Sequence, residues 1–272
     1  MHSETVTINN INDLWYITFP KLSACGMVKH AFSTRLGGVS EGHFSSMNLS
    51  FTRGDSFRNV EENYRRICSA VGINISHLVL SRQTHTSNVL CVDESHRGTG
   101  YTKPSFEDID GLITNKPGVC LVTQYADCTP LLFCDPVKKV IATSHAGWRG
   151  TVKKIGAVTV EKMKTEFGCD PSDIIAAIGP CIGKCCYEVD DPVYNEFLNL
   201  GISLDDIITP TTENHYMLDL KEANKRILIN SGVKEENIDV ADICTCCESD
   251  VLFSHRATAG KRGNLAAIIE LI

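Results

Sequence analysis

Apolar residues recur along this chain in two rhythms. Over Asn59–Val71 the residues Val60, Tyr64, Ile67 and Val71 are spaced by four, three and four positions, which puts them on one side of a helix that Gly72 ends. The segment after Gly150 repeats the pattern, with Val152, Gly156, Val160, Met163 and Phe167 on one face and Gly168 placed to stop it. A further helix is predicted at about Leu220–Ser231. Elsewhere the apolar runs are short and rich in β-prone residues. His77–Leu80, Val119–Tyr125, Leu131–Cys134, Val140–Thr143, Ile174–Ile178, Ile238–Ala241, Val251–Ser254 and Leu265–Ile269 read as strands. Pro130, between two of them, is expected to interrupt any sheet ladder. Ile202–Asp219 fits neither rhythm. Short strands alternating with a few helices, without repeat, heptad run or low-complexity tract, predict an α/β or α+β fold.

With 272 residues, 43% hydrophobic and 22% charged, the chain can bury a full core and is too apolar to be disordered. No Pro/Gly/Ser-rich or single-sign stretch marks a join, so one domain over residues 1–272 is expected. Lys and Arg total 26 against 33 acidic residues, and a net charge of −7 gives no general footing on nucleic acid or an anionic membrane. An anionic ligand must therefore be held by local groups. The longest apolar runs fall short of the roughly 18 to 20 residues that span a bilayer. Met1-His2-Ser3-Glu4 lacks a basic region followed by an apolar stretch, so the expected compartment is the cytoplasm. There the thirteen cysteines are expected as thiols rather than as a disulfide framework. Cys68, Cys91, Cys120 and Cys134, in apolar segments, read as small hydrophobes.

Three side chains suited to zinc end or follow apolar strands: His85, Cys128 and His145. Cys128 and His145 are seventeen residues apart with a predicted strand hairpin between them, which lets two strand ends meet, while His85 joins from elsewhere. Spacing alone leaves open that one or two of them are ordinary core or capping residues. A second group, Cys181, Cys185 and Cys186 with Cys244, Cys246 and Cys247, includes one C-x-x-C and one looser C-x₃-C; it reads as packing thiols or as a structural metal site.

The surroundings of these residues carry more. Ala126-Asp127-Cys128-Thr129-Pro130-Leu131-Leu132, His145-Ala146-Gly147-Trp148-Arg149-Gly150-Thr151 and Gly179-Pro180-Cys181-Ile182-Gly183, followed by Cys186-Tyr187-Glu188-Val189, resemble the laccase-domain family. That family was first described as multicopper polyphenol oxidases and later as broad-specificity purine nucleoside phosphorylases. The likeness includes Phe32–Ser40, Asn48-Leu49-Ser50, Gln83-Thr84-His85, Asp110-Gly111, Ile243-Cys244-Thr245 and Phe253-Ser254-His255-Arg256, in order over about residues 30 to 270. Where the family pattern leads one to expect Gly-Arg, the chain has Gly260-Lys261-Arg262-Gly263, so no role is carried over to Arg262.

The resemblance implies an α/β fold with mixed sheets packed between helices, related to a class of cysteine hydrolases. It implies zinc on His85, Cys128 and His145, and as activities the phosphorolysis of adenosine, inosine and 5′-methylthioadenosine with hydrolytic deamination of adenosine. A three-ligand zinc lowers the pKa of bound water toward 7, which suits attack on a purine C6. Nucleoside deaminases add a carboxylate to carry the proton, and Asp127 and Glu188 are the candidates here. Phosphorolysis must instead hold phosphate against the anomeric carbon. Arg35 in a Gly-rich turn, Arg149 before a helix and Arg256 are the candidate partners, with Asn48 as a ligand for ribose or phosphate. Three other functions compete. A copper-dependent polyphenol oxidase would want an axial Met or equivalent and more histidines than nine scattered ones; a cysteine hydrolase would use Cys128 as nucleophile and His145 as base; a metal-sensing scaffold would act through a partner.

Overall fold

Most strands are apolar at successive rather than alternate positions because both faces of each sheet are covered. The computed structural model describes residues 1–272. One six-stranded sheet runs β1 (Thr7–Ile11), β2 (Leu14–Thr18), β3 (Val28–Ser33), β15 (Leu265–Leu271), β7 (Cys120–Tyr125), β4 (Leu78–Leu80). The other runs β14 (Ile238–Val240), β10 (Ile175–Ile178), β8 (Thr129–Asp135), β9 (Val140–Ala146), β6 (Gly111–Thr114), β5 (Val89–Cys91). The β4–β7, β5–β6 and β10–β14 pairs are parallel and the rest of both sheets is antiparallel.

Phe32, Leu121, Tyr125, Ala267 and Ile269 of the first sheet meet Leu112, Leu132, Cys134, Ile141 and Ala177 of the second in one buried core. The intervening residues point the other way. Cys120, Val122, Ala266 and Ile268 pack on Val60, Tyr64 and Ile67 of α2 (Phe57–Val71). Leu131, Phe133, Val140 and Ala142 pack on Ile155, Val160 and Met163 of α4 (Ile155–Phe167) and on Leu228 of α6 (Leu220–Asn230). The layers are thus helix, sheet, sheet, helix, the mixed α/β arrangement the sequence implied. A smaller sheet of β11 (Glu188–Asp190), β13 (His215–Leu218) and β12 (Ile208–Pro210) covers one end with α5 (Asp191–Leu198). It accounts for much of Ile202–Asp219. A short helix, α1 (Pro20–Ala24), joins β2 to β3.

Three expectations are corrected. Pro130 does not break the ladder: it is the second residue of β8, opposite His145, and β10 starts pairing one residue later at Leu131. Its carbonyl, the only backbone hydrogen-bonding group a proline keeps, accepts from Gly179. The single helix expected after Gly150 is two helices, α3 (Trp148–Val152), which begins two residues earlier, and α4, because Lys154 between them has φ +55°, outside the helical region. Val251–Ser254 forms turns rather than a strand, although Leu252 and Phe253 are buried in the inter-sheet core.

Candidate metal centre and pocket

The β8–β9 hairpin is in register from Thr129 opposite Ala146 to Asp135 opposite Val140, so Cys128, one residue before β8, arrives beside His145, one residue before the end of β9. His85 joins from the connection between β4 and β5. The three ligand atoms lie within 4.8 Å of one another, with Cys128 Sγ 3.8 Å from His85 Nε2. All three expected ligands are therefore brought together. Gly147 makes the approach possible: a Cβ there would fall 2.9 Å from Cys128 Sγ and 3.0 Å from His85 Cδ2.

Asp110, immediately before β6 and fully buried, organises two of the three. Its Oδ1 pairs with His145 Nδ1 at 2.8 Å and accepts the His85 amide at 3.0 Å. Its Oδ2 accepts the amides of Thr84 and Thr86 and the Thr86 hydroxyl. The Thr84–Thr86 turn is thus wrapped around one carboxylate, which holds His85 at φ +65°. Such a left-handed backbone costs on the order of 1–3 kcal/mol and persists because these bonds over-determine it. With Nδ1 committed to Asp110, His145 turns Nε2 to the cluster, as second-shell carboxylates do for metal-bound imidazoles. Asp110 lies in the Asp110-Gly111 motif, from which no role for it follows. Its sequence signal was only an acidic residue entering an apolar strand.

The charges support one another. Burial disfavours the Asp110 carboxylate, but its hydrogen bond to His145 and the His145 charge outweigh this and draw the pKa down to about 2. Burial raises the Cys128 thiol and the His145 charge overcomes it, lowering the pKa; the reciprocal pull of Cys128 and Asp110 raises that of His145 against its own burial. The donor set is one thiolate and two oriented imidazoles, which fits a zinc-type ion with an open fourth position.

A pocket of about 560 Å³ opens onto this cluster and is lined by His85, Cys128, His145, Phe51, Arg53 and Arg262 among others. That volume lies within the usual range for small-molecule sites. Phe51 is backed by stacked rings, with Tyr64 at 5.4 Å and Tyr101 at 5.5 Å. Arg262 has a buried Nε with no hydrogen-bond partner. Its pKa falls to about 10 through burial and, secondarily, the Arg53 charge.

The other expected site residues lie around this pocket rather than in its lining. Asp127, φ +82°, accepts from the Thr245 hydroxyl at Oδ1 and from the Arg256 amide at Oδ2, each at 2.7 Å. Glu188 is exposed on β11 and accepts from Thr211. Asn48 is buried and ties Ser50, Asp55 and the amide of Asn264, a pocket residue. Arg35 donates to the Ser45 and Ser249 carbonyls and lies 4.8 Å from the Phe253 ring centre. Arg149 is exposed above the Trp148 ring, and Arg256 donates to the Cys186 and Glu188 carbonyls. Tyr187 links these last two to the cluster. Burial and then the Cys128 charge raise its phenol pKa, and the charges of Arg256 and Arg149 oppose the rise. Arginines therefore stand in the pocket, Arg53, Arg82 and Arg262, and around Tyr187, Arg149 and Arg256.

Residues 29–272 match the family described as multi-copper polyphenol oxidoreductase laccase. A Bacillus subtilis (strain 168) protein named purine nucleoside phosphorylase YlmD is 39% identical over 240 residues, 88% of this chain and 86% of its own length. A protein from an unknown prokaryotic organism, named adenosine deaminase RL5, is 35% identical over 231 residues, 83% of this chain and 87% of its own. The crystal structure of YlmD from Geobacillus stearothermophilus superimposes with a TM-score of 0.92 at 33% identity, covering 98% of each chain.

Proposed function

The chain belongs to the multi-copper polyphenol oxidoreductase laccase family, and from that premise we propose that it is a zinc-dependent purine nucleoside phosphorylase. Its substrates on this reading are adenosine, inosine and 5′-methylthioadenosine with phosphate, and it also deaminates adenosine. One observation carries the reading: a single pocket joins the His85, Cys128 and His145 donors to an aromatic wall and three arginines, Arg53, Arg82 and Arg262, the last with an unpartnered buried Nε.

Phosphorolysis forms a bond from a phosphate oxygen to the anomeric carbon as the bond to the purine nitrogen breaks, its electron pair leaving with the base. Arg262 and Arg53 hold the phosphate on this reading, since an anion would supply the partner Arg262 Nε lacks and relieve the repulsion between the two guanidiniums. Arg149, Arg256 and Arg35 are the second set to be tested, with Asn48 acting through Asn264. Phe51 offers its ring face to the base. Zinc held by Cys128 Sγ, His85 and His145 Nε2 supplies, when bound, a Lewis acid and a water of lowered pKa. Asp127, next to the Cys128 ligand, is the proposed proton carrier in deamination, where water replaces the 6-amino group and ammonia leaves; Glu188 is the alternative. No helix is long and apolar enough to cross a membrane, and a reducing cytoplasm suits thirteen free cysteines.

The donor sets favour zinc over multicopper chemistry. Of nine histidines only two enter a metal-competent group, and the other such group is all cysteine. The arrangement Asp110–His145–Cys128 also supports the cysteine-hydrolase reading, because it orients an imidazole beside a thiolate. Alkylation with iodoacetamide separates the two. Zinc ligation predicts that Cys128 is protected until a chelator is added, whereas a nucleophile reacts rapidly in the metal-replete, active enzyme. The activity itself is tested by incubating inosine with and without phosphate and identifying the products. Hypoxanthine and ribose 1-phosphate that form only with phosphate are expected; phosphate-independent cleavage, or turnover of phenols alone, would overturn the proposal.

A further inference from the structure

Outside the pocket, the chain gathers a second set of ligand-bearing side chains. Cys185, Cys186, Cys244 and Cys247 come from two loops far apart in sequence, yet their four sulfurs lie within 4.8 Å of one another. Cys247 Sγ is 3.5 Å from Cys185 Sγ and 3.4 Å from Cys186 Sγ. Four thiolates at about 2.3 Å from a tetrahedral zinc would stand about 3.8 Å apart, so small shifts suffice to close the shell. We propose that Cys185, Cys186, Cys244 and Cys247 form a second metal site, an all-thiolate zinc centre separate from the pocket.

The backbone favours this over chance packing of thiols. Gly183 donates its amide to Cys244 Sγ at 3.1 Å, and the amides of Cys246 and Cys247 also turn to that sulfur. Amides gathered on the first sulfur of a C-x-x-C favour negative charge there. Cys185 and Cys247 are exposed, which gives an ion a way in.

The site has a structural consequence. Thr245 lies between two of these cysteines and donates to Asp127 Oδ1, and Arg256 reaches Asp127 with its amide and the Cys186 carbonyl with its guanidinium. A metal here would pin the Gly179–Tyr187 loop to the segment holding Asp127, the residue before the Cys128 ligand.

Metal analysis of protein purified and kept under reductant tests the proposal. Two zinc ions per chain are expected, falling to one in His145→Ala and to one in the Cys185→Ser/Cys247→Ser double variant. X-ray absorption of zinc-loaded His145→Ala should then report four sulfur neighbours, and its cobalt(II) form should show strong thiolate-to-metal charge-transfer absorption. These measurements leave the four cysteines intact, so they hold even if the cysteine variants fold poorly. A His145→Ala protein that binds no zinc, or binds iron instead, would overturn the assignment. So would acid-quenched alkylation and peptide mass spectrometry that recovered Cys186 and Cys247 as a disulfide.

Discussion

The two ligand clusters differ in what holds them. His85, Cys128 and His145 sit at strand ends between layers that bury both faces of two sheets, and Asp110 fixes two of them through five hydrogen bonds. Cys185, Cys186, Cys244 and Cys247 sit on loops, two of them exposed, with backbone amides as their main scaffold. The first cluster is pre-organised before any ion arrives and faces a pocket; the second depends on the ion to close the loops. Pre-organisation with an open position suits catalysis, and a closed four-sulfur shell suits structure. The comparison breaks if the two respond alike to loss of a ligand.

The largest effect is expected from Cys128→Ala. It should empty the pocket site and lower phosphorolysis and deamination together by more than about a hundredfold, the upper end of what losing a mere second-shell partner costs. The Cys185→Ser/Cys247→Ser pair should instead lose zinc from the other site with a much smaller fall in turnover. Metal content and initial rates on the same samples read both. Next comes Asp110→Asn, which keeps the shape but removes the charge that orients His145 and the Thr84–Thr86 turn. Metal affinity at the pocket site should fall about 10–100-fold, and competition with a chelator measures it. An unchanged affinity would mean that the strand ends alone position the ligands.

Among the arginines, Arg262→Ala should raise the phosphate KM about tenfold or more, as expected from losing a charge-assisted hydrogen bond worth about 1.5–3 kcal/mol. Arg149→Ala should do less, because its guanidinium lies over Trp148 rather than in the pocket. Phosphate saturation curves at fixed inosine decide between the two sides of the cluster, and the reverse ranking would move phosphate to the Tyr187 side.

How far the sequence foretold this site follows from where each residue sits. As candidates, His85, Cys128 and His145 were legible at the ends of apolar strands, where spacing left one or two of them open as core or capping residues and the family resemblance implied all three as ligands. So were the helices with a solvent face, such as α2. Arg53 and Arg262 were not, since they lie in loops at opposite ends of the chain that only the fold brings to one pocket. Lys261 displaces Arg262 from the expected Gly-Arg pattern, so its sequence context points to no role. β1 and β2 escaped notice because their pairing, Thr7 opposite Thr18 to Ile11 opposite Leu14, lies at a sheet edge with little apolar alternation. Val251–Ser254 misled for the opposite reason: Leu252 and Phe253 are apolar because they are buried, not because they are paired.

The last prediction sharpens the difference between a histidine of the His85–Cys128–His145 cluster and one that serves the fold. His30, on β3, is buried like His145, but it accepts the Phe19 amide at Nε2 at 2.9 Å. That bond requires a neutral ring. Burial, only partly offset by the Asp239 charge, lowers its pKa from 6.5 to about 4. The unfolded chain therefore takes up a proton near pH 6.5 that the folded chain refuses until about pH 4. The stabilisation is complete above about pH 6.5 and falls as the pH drops toward 4, by about 3 kcal/mol in all. His145 shifts the other way, toward its charged form, because Cys128 and Asp110 face it. Urea unfolding of the chelator-treated protein between pH 7.5 and 4 should reveal the His30 contribution as a falling midpoint. In His30→Gln, whose amide oxygen can accept from Phe19 without titrating, that part of the slope should vanish. A slope identical in the two proteins would mean that His30 is protonated in the fold, and the contrast with His145 would be lost.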